Sequence, residues 1–122
     1  MMLLALYLSY RIAIINLTHE AKGLDTYEKT REKFVNCKDK RSITILDHNY
    51  REEIGHVALG LKWFKYIAKN RKFSTSCQSS YCIDYFHQLS RRYFKGKLKE
   101  PFNHIARYQA GLTKEWYIPL AK

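Results

Sequence analysis

The chain has 122 residues and a mass of 14.6 kDa, room for one small domain. Hydrophobic residues make up 46% and charged residues 27%, which suits a packed core and excludes wholesale disorder. With only 5 Gly and 2 Pro, a β-sandwich or β-barrel would lack its frequent tight turns, and the all-α expectation comes from the helical periodicity along the chain. The net charge of +11 and the ten Tyr are what a surface for nucleic acid uses. A basic solvated surface has the same composition, and the cations are spread from Arg11 to Lys122 with no run longer than Arg91-Arg92.

Residues 2–22 carry Leu3, Leu4, Tyr7, Leu8, Ile12, Ile15 and Leu17 at spacings near three and four, which predicts a helix with that stripe buried. Gly23 is placed to stop it, and Gly23-Leu24-Asp25-Thr26 reads as a turn. Asp25 or Thr26 can then cap a short helix from Tyr27 to about Asn36. After a lysine-rich link from Lys38 to Arg41, the longest helix is predicted from Ser42 to about Asn70. Its stripe comprises Ile43, Leu46, Tyr50, Glu53, Val57, Leu61, Phe64 and Ala68. Phe73 to Gln78 reads as a polar loop. A third helix is expected from Ser79 to Phe94 with Ile83, Phe86, Leu89 and Tyr93 on one face. A linker from Gly96 to Pro101 and a short helix from Phe102 to Ala110, closed by Gly111, complete the chain.

Met1 to Leu17 is mostly apolar but is interrupted by Arg11. It has no basic region before it and no small-residue cleavage site after it. It is short for a bilayer span, so a buried helix is expected, with no membrane partner and a cytoplasmic location. Cys37, Cys77 and Cys82 are odd in number and form no zinc motif, which suits reduced thiols.

The chemistry-bearing pattern is Glu53-Ile54-Gly55-His56. Residues at i and i+3 of a helix project to the same side, so a carboxylate and an imidazole there can grip one metal ion. Glu53 interrupts an apolar stripe, where a lone ionised carboxylate is costly. Glu20 either lies toward the buried side of its helix near Leu17 and Ile12 or is an exposed acid at a fraying end beside Lys22. Two buried acids on neighbouring helices repel unless a cation or a proton lies between them. Gly55 and Gly60 flank the His, and each costs about 1 kcal/mol against Ala inside a helix. Close helix approach, room for a ligand or tolerated surface glycines would each account for them.

Three stretches in order resemble a known family: His19 to Asp25 (HEAKGLD), Glu52 to Phe64 (EEIGHVALGLKWF) and Pro101 to Gly111 (PFNHIARYQAG). Together they are similar to the closing half of a bacterial ferritin-like family catalogued as domain of unknown function 455, over roughly Leu8 to Leu120. The resemblance implies a four-helix bundle related to di-iron carboxylate proteins, including tRNA-modifying hydroxylases, with iron or manganese as cofactor and O2-dependent oxidoreductase chemistry. It implies Glu20 as the lone Glu of the third bundle helix and Glu53 with His56 as the pair of the fourth. In that plan one Glu comes from each of two helices and a Glu-x-x-His from each of the other two. The first helix pair is missing, so residues 1–122 form a single partial domain. The domain is a ferritin-like half-bundle of two long antiparallel helices with shorter C-terminal helices, holding three of six ligands. A homodimer would supply Glu20, Glu53 and His56 twice. A truncated relic without activity, or a basic RNA-binding helical module, are the other expectations. The missing helices leave the stripes of both long helices uncovered, so association is expected.

Other candidates are ordinary by comparison. Asp84-x-x-His87 copies the spacing with a shorter acid among amphipathic neighbours. His48 and His56 stand eight apart, about 12 Å along a helix, too far to share an ion. His19 points about 100° away from Glu20. Asn103, before His104, is placed to cap the last helix. Trp63-Phe64 and Trp116-Tyr117 read as packing residues. Nothing resembles a phosphate loop or a nucleophilic triad.

Overall fold

A computed structural model describes residues 2–71 and 79–121, all helices and short connections. The segment expected as a loop from Phe73 to Gln78, with Cys77, lies outside the described residues. Among the described residues there is no β-strand, only an isolated parallel bridge between Leu98 and Ala121.

The first helix is longer than the sequence suggested. Helix α1 (Met2–Arg11) continues without a break through a π-helical segment (Ile12–Glu20) into helix α2 (Ala21–Asn36). Gly23 does not stop it, residues 23–26 are not a turn, and neither Asp25 nor Thr26 caps a new helix. The intrinsic cost of a helical Gly, about 1 kcal/mol, is outweighed by Ala21 and Leu24, both buried on the continuing ridge. The break falls instead at Cys37 to Asp39, where Lys38 takes a positive φ of 57°. Asp39 then accepts from the backbone N and the hydroxyl of Ser42, capping helix α3 (Lys40–Arg71).

The buried face of the first helix also differs from the expected stripe. Leu3, Leu4, Tyr7, Leu8 and Ile15 are exposed. The buried ridge is Ser9, Ala13, Leu17, Thr18, Ala21 and Leu24, largely small side chains that let α3 come close. The contacts Asn16 with Gly60 and Arg31 with Asp47 run in opposite chain directions, so the two long helices pack antiparallel. At Gly60 the approach is closest: a Cβ built there would stand 2.5 Å from Cβ of Asn16. Gly55 is exposed with open space around it, so only one of the two glycines serves packing.

On α3 the expected stripe holds. Val57, Leu61, Phe64 and Ala68 are buried, and Ile43, Leu46, Tyr50 and Glu53 are half-buried. Helix α4 (Ser79–Tyr93) adds Phe86 and Leu89, and the short helices α5 (His104–Gln109) and α6 (Lys114–Tyr117) close the core with Trp116 and Tyr117. A 3-10 turn (Ile118–Leu120) follows. Asn103 caps α5 as expected, its side-chain oxygen accepting from the N–H of Ala106 at 3.0 Å. Gly111 ends that region with φ of 97°, a conformation that favours glycine.

Arg107 of α5 is 1% exposed and pins the short helices to the long ones. Its guanidinium donates to both oxygens of Asp25 (2.9 and 2.6 Å) and lies over the rings of Tyr117 and Phe102. Asn103 extends the joint: its backbone N donates to Asp25, and its side-chain amide donates to the Leu24 carbonyl and the Tyr50 hydroxyl. No helix among the described residues is long and apolar enough to cross a membrane.

Candidate metal centre

The antiparallel packing brings Glu20, at the end of the π-helical segment, against Glu53 and His56 on α3. One ligand atom from each of the three lies within 4.8 Å of the others. His56 Nδ1 is 3.1 Å from Oε2 of Glu53, the i, i+3 neighbour predicted from spacing. The π-helical segment carries Ile12, Asn16 and Glu20, which face one cleft of about 340 Å³ together with His56, Leu59, Gly60 and Trp63. Thr18 supports the wide turn by donating from its hydroxyl to the carbonyl of Ala13, five residues back, at 2.8 Å.

The two carboxyl groups face each other, with an oxygen of each within 4.8 Å of the other. Burial first, then a hydrogen bond and the charge of Glu53, push the Glu20 carboxyl up from 4.5 to about 7, while His56 pulls it down. Two acids so placed share a proton or a cation. The donor set of two carboxylates and one imidazole is hard and oxygen-rich, which fits iron or manganese. Three donors are half of what an octahedral ion takes. Asn16, which the sequence reading passed over, donates its amide to Oε1 of Glu20 at 2.5 Å. Its signal was its place one helical step before the acid.

The remaining candidates fall elsewhere. His87 is buried, and its Nε2 hydrogen-bonds the Trp116 carbonyl at 3.0 Å, while Asp84 is exposed, so this pair does not converge. His48 is exposed on another face, its Nε2 3.2 Å from Oε1 of Glu52. His19 stands edge-on to Phe94 and His104 pairs with the Tyr117 hydroxyl. Phe64, Trp116 and Tyr117 are packing residues as expected, whereas Trp63 is 51% exposed.

Residues 4–118 match the family described as "Protein of unknown function (DUF455)", and the chain belongs to that family. An uncharacterized protein of Haemophilus influenzae (strain Rd) is 34% identical over 104 residues. The alignment covers 85% of this chain and 34% of that protein, so the chain spans about a third of the relative it matches. No solved structure matches the chain.

Proposed function

We propose that the protein is a ferritin-like metal-binding half-bundle in which Glu20, Glu53 and His56 hold iron or manganese. The observation that carries this reading is the convergence of the three donors within 4.8 Å from two helices. The closeness of the two carboxyl groups supports it, because a cation relieves their repulsion. When bound, iron in such a site supplies O2-dependent oxidation chemistry. The chain's own contribution is to orient the ligands: Asn16 fixes one oxygen of Glu20, and His56 is turned toward Glu53. Cys37, an exposed thiol free of a disulfide, fits a reducing cytoplasmic setting.

The test is anaerobic titration of the apo protein with Fe(II) or Mn(II), followed by calorimetry and metal analysis. Binding should fall at least tenfold in Glu53→Ala and in His56→Ala. Equal binding by wild type and both variants would defeat the assignment.

A second reading, attachment to RNA phosphates, is favoured by the turn after α4. Arg91, Arg92, Lys95, Lys97 and Lys99 gather there without an acid among them. Arg91, Lys95 and Lys97 line a cleft of about 280 Å³ with Phe94. Among the described residues none of the five forms an ion pair.

A further inference from the structure

We propose that a second copy of this chain docks on the open face formed by α1, the π-helical segment and α3 and supplies the other half of the metal centre. The inference rests on the metal-binding reading above and names what completes the site. The three donors stand at the edge of the molecule, with the His56 side chain 56% exposed and the cleft beside it open to the outside.

The surface around that opening is apolar. Leu4 and Leu8 continue the Ile12-Asn16-Glu20 ridge in one direction, and Leu59, Trp63 and Tyr66 continue the His56 ridge along α3. Each of the five is between 41% and 60% exposed, Trp63 and Tyr66 meet edge to face on α3, and the two rows lie on the ridges that border the same cleft. If each offers about half its side chain, the patch amounts to several hundred Å² of apolar surface, on the order of the apolar share of a standard interface of about 800 Å² per partner. Patches of this size mark contact surfaces rather than scattered exposed side chains.

The chemistry of the site selects the occupant. An unrelated apolar partner would cover the patch and leave each ion half-ligated under a dry lid. A copy related by a two-fold axis lays apolar surface on apolar surface and triad against triad. Two copies bring four carboxylates and two imidazoles, a set whose four negative charges balance two divalent cations. That balance is local, so it acts at the interface even though each chain carries +11 overall.

The test loads the full chain with Mn(II) without oxygen and measures native mass, metal content and the electron paramagnetic resonance spectrum. Wild type should run at twice the chain mass with two Mn(II) per dimer and the multiline spectrum of a coupled pair. Trp63→Glu and Leu59→Glu alter exposed residues, so helical content should stay unchanged. Both variants should become monomeric, lose the coupling and bind Mn(II) at least tenfold more weakly. A wild-type monomer that binds uncoupled Mn(II), or face variants that keep tight coupled Mn(II), would overturn this proposal alone. A wild type that binds no Mn(II) would overturn the metal assignment and this proposal with it.

Discussion

At the scale of single residues, the Glu20–Glu53 pair has a consequence for pH. Burial and the neighbouring Glu53 push the folded Glu20 carboxyl up to about 7 from the 4.5 of the free side chain, so between these values the folded state holds a proton that the unfolded state has released. The sign follows: Glu20 contributes stability fully below about pH 4.5, and this contribution is lost as pH rises to about 7. In the metal-free protein, Glu20→Gln should therefore gain stability relative to wild type between pH 5 and pH 8. Urea unfolding midpoints at the two pH values measure this, and a constant difference between the two proteins would contradict it. Gly60 makes a second prediction. A methyl group there meets Cβ of Asn16 at 2.5 Å, so Gly60→Ala should destabilise by about 1–3 kcal/mol despite the better helix propensity of Ala. Gly55→Ala, in open space, should be neutral or stabilising. Comparing the two unfolding midpoints decides the matter. These residue-level effects were only half legible in the sequence. The i, i+3 pair Glu53 and His56 is visible from spacing alone, but which glycine marks a close approach depends on what the neighbouring helix presents.

At the scale of elements, the sequence located α3, α4 and the capped α5 because their apolar residues recur at helical period and Asn103 sits where a cap belongs. It misplaced the first boundary. Gly23 carries a strong local stop signal, yet the helix runs on to Asn36 because packing on both sides of Gly23 outweighs a local preference. The face of the first helix was read as buried for a related reason: period alone says which residues share a side, not which side is covered. Nor does any sequence signal announce the π-helical turns. Asp25 shows the gain from the continuous helix. Placed inside α2 rather than at a cap, it reaches Arg107 of α5, 82 positions away, and joins the two ends of the chain. Removing one partner of a buried pair costs about 3–5 kcal/mol. Asp25→Ala should therefore lower the melting temperature by roughly 10 °C or more. Calorimetry or thermal circular dichroism tests this; an unchanged melting temperature would show that the pair is dispensable. Replacing both residues with apolar side chains of similar size should cost much less, because no buried charge is then stranded.

At the scale of the whole molecule, two properties compete: a surplus of eleven positive charges and an uncovered apolar face. The charge keeps copies apart at low ionic strength and attracts polyanions. If RNA phosphates bind the turn after α4, affinity should fall steeply with salt, and Lys95→Ala with Lys97→Ala should reduce the slope of log K against log salt by about 2. Filter binding or fluorescence anisotropy at several salt concentrations measures it, and an unchanged slope would move the contact elsewhere on the surface. Added salt should act oppositely on self-association, which strengthens as repulsion between like-charged chains is screened. The all-helical class was legible from scarce Gly and Pro and from helical periodicity. The convergence of Glu20 with Glu53 and His56 is a property of how two helices cross, and spacing along one helix could not show it without the family resemblance.

The meeting of Asn16 with Gly60 also constrains how this molecule can vary. Because the two backbones approach until one Cβ fills the gap, these positions form a single locus rather than two. Across relatives, bulk gained at position 60 is expected only where it is surrendered at position 16. A lineage that exchanged Asn16 for glycine would loosen Glu20 in the same step. The freedom to widen this crossing and the freedom to hold the acid in place are therefore inherited together.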